Sequence, residues 1–198
     1  MAASREAEAP SEFLRALDSL HAARPRPEVV LTEVPAPQRL APFATAMSAE
    51  VTAVGTVDDD QELATGRLVL LHDPAGQESW RGTFRFVTFA RAELEPEIAT
   101  DPMLSSVGWS WLIEALESHG AGFTASSGTV TRVVSEGFGG LAERPASTQI
   151  EIRASWTPTG PDFGRHLEAW CTLLCTTAGL PPAHPGVASM PRQSPRTR

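Results

Sequence analysis

The sequence predicts an α+β domain: an antiparallel sheet whose strands come in two groups, in the order α-β-β-β-β-α-β-β-α, with helices covering one face. Three observations carry this. Short turns separate successive extended stretches, which makes neighbouring strands antiparallel. Apolar residues at helical spacing occur in only three places. No strand–helix–strand rhythm of the kind that builds nucleotide-binding folds recurs along the chain.

Residues 1–10 read as a loose lead-in, 11–182 as a single domain and 183–198 as a disordered tail rich in Pro, Ser and Arg. Ser11 is placed to cap a first helix over 12–24, where Phe13, Leu14, Leu17 and Leu20 form an apolar stripe. The prolines of "RPRP" stop it. Extended stretches follow at 28–34, 43–54, 64–72 and 81–94. In the last of these Phe84, Phe86, Thr88 and Ala90 alternate with Arg85, Val87, Phe89 and Arg91, so both faces carry apolar groups. The second helix is expected over 101–120, with Trp109, Leu112, Ile113 and Leu116 on one face and Gly120 as its C-terminal cap. Strands at 122–136 and 148–158 pair across the wide turn "GFGGLAERPAS", which reads as mobile. The third helix, 161–182, opens on Pro161 and Asp162, carries the stripe Phe163, Leu167, Trp170, Cys171, Leu174 and Ala178, and stops at Gly179.

What is missing narrows the chemistry. The chain has no Lys, Tyr or Asn and only four Ile, while codons for its abundant Ala, Arg, Gly and Pro are GC-rich, so we infer a high-GC genome. Without lysine there is no Schiff base, pyridoxal-phosphate anchor or phosphate-loop lysine. Two cysteines make no disulfide framework, and a reducing cytoplasm is the simplest home. The apolar runs are too short to span a membrane, and the N-terminus lacks the apolar core of a secretory signal. Net charge is −8; up to Glu168 the chain holds 13 arginines against 24 acids, a body that disfavours broad nucleic-acid binding.

The stretch that most resembles a reactive loop is "LLHDPAGQESWRG", residues 70–82. His72, Asp73 and Glu78 could supply a base, an orienting carboxylate and a metal ligand. Adjacent strand residues point to opposite faces, however, so a turn led by Asp73 with Pro74 second is the preferred reading, and Trp80 and Arg81 begin the returning strand. Cys171 and Cys175 with His166 lack the further ligands that a zinc site needs and read as buried structural groups. The acids Glu93, Glu95, Glu97 and Asp101 read as a solvated connection, and the glycines of "SEGFGG" lack the strand-to-helix context of a phosphate loop. No serine sits in a nucleophile elbow. No metal and no cofactor is expected. Trp80, Trp109 and Trp111 are the binding candidates, because Trp109 and Trp111 cannot share one side of a helix.

"APQRLAP", "ATGRLVLLHDPAGQE", "RAELEPE", "VGWSWL", "SGTVTRV", "QIEIRASWTP" and "HLEAW" together resemble an uncharacterised actinobacterial family, domain of unknown function 3000, over residues 11–182. The resemblance implies no established activity or site residues; its members' frequent gene neighbour, a ribonuclease D-like exonuclease, implies at most a shared pathway. The element order is also similar to secretion-chaperone-like domains, apart from the early strand at 28–34. The expected function is a non-catalytic cytoplasmic adaptor, a homodimer that recognises a polypeptide partner. The alternatives are a metal-dependent or acid/base hydrolase using His72, Asp73 and Glu78, and an RNA-pathway accessory using Arg67, Arg85, Arg91, Arg132 or Arg153.

Overall fold

The computed structural model describes residues 9–52, 62–95, 98 and 101–182. The expected lead-in and tail, the acidic turn after residue 52 and Glu97 lie largely or wholly outside these residues. The elements run α1 (Ser11–Ala22), β1 (Val29–Val34), β2 (Phe43–Thr52), β3 (Glu62–Gln77), β4 (Gly82–Leu94), α2 (Leu104–Ser118), β5 (Phe123–Ser135), a 3₁₀ turn (Gly139–Leu141), β6 (Ser147–Pro158) and α3 (Phe163–Thr177). The order is the α+β one that periodicity predicts. The two groups of strands join into one sheet, β1-β2-β3-β4-β6-β5, antiparallel throughout. Among the described residues no helix is long and apolar enough to cross a membrane.

The helices α1, α2 and α3 lie on one face of the sheet. Phe86, Ala90 and Ala92 of β4, Leu68 and Leu70 of β3, and Ile150, Ile152 and Trp156 of β6 point into that layer and form the main core with it. Between α1 and α2 runs α3, which explains why it is buried well beyond its stripe, at His166, Ala169, Leu173, Cys175 and Thr177 as well. It approaches β3 so closely that a Cβ at Gly66 would sit 2.8 Å from both Leu174 and Trp170. The other face is only partly covered: Ala46, Val69 and Leu71 pack under Ala36, Ala41, Trp80 and Val87.

All three expected helices have boundaries that differ from expectation. Ser11 is already helical, and Pro10 stands at the cap with its carbonyl accepting from Phe13 and Leu14 N–H groups. The second helix is shorter than 101–120 because Asp101 accepts the Met103 N–H in a turn ahead of it. The third begins at Phe163 and ends at Thr177. Both later helices stop as their glycines dictate: Gly120 (φ +62°) and Gly179 (φ +74°) take the left-handed conformation, and Ala121 and Leu180 donate back to Leu116 and Cys175 carbonyls.

The largest correction concerns the β3–β4 hairpin. The chain does not reverse at Asp73–Gly76. Asp73 Oδ1 does accept the Ala75 N–H (3.1 Å), and Oδ2 the Gln77 amide (3.2 Å), but these bonds close a bulge. Strand pairing passes from His72–Phe84 to Gln77–Gly82, so residues 73–76 bulge out while only Thr83 intervenes on the partner strand. Reversal falls at 78–81, where Arg81 adopts φ +58° and β4 begins one residue later, at Gly82.

Candidate functional site

The proposed reactive trio does not assemble. His72 turns to the helical face and is fully buried, stacked on Phe84 (centroids 4.1 Å apart) and flanked by Phe13 and Phe43. Asp73 turns to the opposite face and spends its carboxylate on the bulge. Glu78 is exposed at the hairpin tip. His72 instead meets a residue far away in sequence. Its Nδ1 donates to the Thr83 carbonyl (3.0 Å), and its Nε2 lies 3.1 Å from Glu12 Oε1 in the first turn of α1. That second contact has ion-pair distance without hydrogen-bond alignment, so Nε2 lacks a true hydrogen-bond partner. What the pair does structurally is to hold the start of α1 against the end of β3.

Two of these rings form the floor of a groove. Phe13 and Phe43, behind which His72 sits, line a cavity of about 450 Å³ between α1 and the start of β2. Leu14 and Leu17 form one wall, and Val34 with the proline-rich segment through Pro42 the other. Phe13, Ala16 and Leu20 are the residues α1 buries, leaving Leu14 40% exposed and Leu17 half-buried. The apolar stripe of α1 is therefore wider than the surface it buries, and the surplus faces the groove. Glu33, held 2.6 Å from His21 Nε2, is the acidic residue of its lining.

Trp156 Nε1 on β6 donates to His166 Nδ1 on α3 (3.1 Å), and burial pushes His166 down to about 4 against a smaller opposing pull from Asp162. The imidazole is neutral and structural at ordinary pH. Cys171 and Cys175 are buried free thiols. Burial, with the neighbouring thiol adding to it, pushes Cys171 far above the usual thiol range, and burial lifts Cys175 to about 11. Neither is a ready thiolate. Among the described residues no group of three or more His, Cys, Asp or Glu side chains could hold a metal ion. Gly139 of "SEGFGG" opens only a three-residue 3₁₀ turn.

Of the five arginines named from sequence, Arg67, Arg85, Arg91 and Arg153 share the face away from the helices, by strand alternation. Arg132, paired with Ile150, points to the helical side. Each of three outer-face arginines is already engaged. Arg67 donates to the Pro35 carbonyl, and Arg153 pairs with Glu151 (2.9 Å) while lying 5.1 Å from the Phe89 ring centroid. Arg85 is buried and donates to Ala125 O, Thr157 Oγ1, Ser127 Oγ and Ser155 Oγ. All those partners are neutral, and burial lowers the Arg85 pKa.

Among the tryptophans, Trp80 packs on the outer-face cluster, while Trp109 and Trp111 are half-buried on the edge of the main core. Gly128 makes room for Trp109, since a Cβ there would lie 2.8 Å from its ring. The acids spread out as well: Glu93 is in β4 opposite Gln149, rather than in a connection, and Asp101 leads into α2. Sequence reading missed Glu12 as a partner for His72, the four-bond arrangement at Arg85 and the groove. Only the groove left a signal, the surplus of apolar residues in α1.

No curated protein and no solved structure matches the chain. Residues 9–188 match the family model described as protein of unknown function (DUF3000), and the chain belongs to that family.

Proposed function

We propose that this protein is a non-catalytic cytoplasmic adaptor whose α1–β2 groove receives an apolar segment of a polypeptide partner. The groove itself carries the reading: an open, apolar concavity of about 450 Å³ with aromatic floor and aliphatic wall. Leu14 and Leu17 are surplus to the core and fit a role as anchors for a partner. Charge narrows the chemistry of the guest. Glu33 in the lining and a net charge of −8 favour apolar anchors flanked by Arg or Lys over acidic segments. Free thiols at Cys171 and Cys175 fit a reducing compartment.

Display of random peptides against the immobilised full chain tests this. The expected result is enrichment of sequences with two or more apolar anchors beside basic residues, lost in Leu14→Glu while the melting temperature stays within a few degrees. No enrichment, or enrichment indifferent to Leu14→Glu, overturns the reading.

A further inference from the structure

Among the described residues the sheet ends in β5, which has β6 on one side and no strand on the other. A bulge at its start, where Ala125 takes φ +49°, leaves Ser127–Ser135 as the regular segment. Edge strands are ordinarily blunted by proline, by charges or by shortness. This one has 13 residues, no proline, no acid and one charge, Arg132, and it is rich in Thr and Val, which favour strand pairing. The opposite edge, β1, has six residues, carries Glu33 and runs straight into Pro35.

Apolar side chains flank that edge. α2 leads through a short turn into β5 and so runs antiparallel to it, with Gly108 over Val130; a Cβ there would lie 3.1 Å from that side chain. Its N-terminal half therefore lies toward the end of β5. There Met103 (59% exposed) and Val107 are exposed, as are Val134, Phe138 (77%) and Leu141. A stable pair buries roughly 1,600 Å² in total, and a nine-residue strand spans roughly 30 Å. With five large apolar side chains beside it, this edge offers a patch of that order.

We infer that the β5 edge binds the β5 edge of a second copy of this chain, antiparallel about a twofold axis at Thr131, which continues the sheet across both molecules. Area and self-complementarity select this occupant. Two bodies of net charge −8 repel each other, and that repulsion is least where they meet at an edge without acids, whose single charge is Arg132. An antiparallel strand is also complementary to itself, so the whole segment Ser127–Ser135 pairs when its midpoint lies on the axis. Thr131 then faces its own copy, Val133 faces Thr129, and Arg132 faces Val130 rather than another arginine. The inference is independent of the groove, which lies beside β1 and β2 near the other end of the sheet.

Sedimentation of the full chain decides the matter. The wild type is expected at twice 21.2 kDa, and Thr131→Lys at the monomer mass, because two like charges then meet on the axis. Lys at this exposed position stands opposite Glu151 of β6, so the fold tolerates it. In case Thr131→Lys misfolds, Thr131→Cys gives a second test: mild oxidation is expected to produce a covalent dimer. A monomeric wild type, a dimer that persists in folded Thr131→Lys, or Thr131→Cys that does not cross-link each overturns the inference. Loss of peptide capture in Leu14→Glu with the dimer intact separates the two readings.

Discussion

His166 shows how one residue ties packing to pH. Its Nδ1 accepts from Trp156, so the ring must be neutral with its proton on Nε2, and protonation would break that bond in a site that water does not reach. The folded pKa of about 4 lies below the ordinary value of 6.5. Between those values the unfolded chain binds a proton that the folded chain refuses, so stability rises with pH across this window and falls on acidification. The span corresponds to about 3 kcal/mol. Urea melts at pH 4 and pH 7 are expected to show a loss of this order for the wild type. His166→Gln is expected to flatten the slope, and an unchanged slope would show that another group carries it. Arg85 makes the complementary case of a buried charge that stays charged. Four of its N–H groups are matched by four neutral oxygens, so its role is to fix the β5 bulge at Ala125.

At the scale of elements, α3 organises the fold because the sheet yields space to it at one position. Gly66→Ala would place a methyl 2.8 Å from both Leu174 and Trp170, an overpacking that costs about 1–3 kcal/mol. The expected outcome is a urea midpoint lowered with an unchanged slope, whereas a neutral effect would mean that α3 rides freely on β3. Most of this architecture was legible from period alone. Three helices and six strands follow from apolar spacing, and both Gly stops are local chemistry. The β3–β4 corner was not legible, because the choice between turn and bulge at Asp73 is made by the cross-strand pair Gln77–Gly82. Equally hidden was the Glu12–His72 contact, whose partners come together only when α1 docks on the sheet. The pleat rule did anticipate that His72 and Asp73 part company. It could not say that His72 would sit behind the aromatic floor of a groove.

At the scale of the whole molecule the question is what an acidic body does at an edge that carries no acid. Self-association through β5 brings two net charges of −8 together, so repulsion between the bodies opposes the pairing of the strands. Salt weakens that repulsion: the screening length falls from roughly 30 Å at 0.01 M to roughly 10 Å at 0.1 M ionic strength. Strand pairing and apolar contact across the interface are short-ranged and lose little over the same change. The dimer is therefore expected to tighten as salt rises through this range, with the monomer–dimer midpoint moving to lower protein concentration in sedimentation equilibrium. Nucleic-acid binding by Arg67, Arg91 and Arg153 has the opposite sign, since released counterions make it weaken with salt. One salt titration, read once by protein mass and once by the shift of a labelled RNA, thus separates the two. A mass that falls with added salt would mean that the interface is held by opposite charges, which a β5 edge carrying only Arg132 cannot supply.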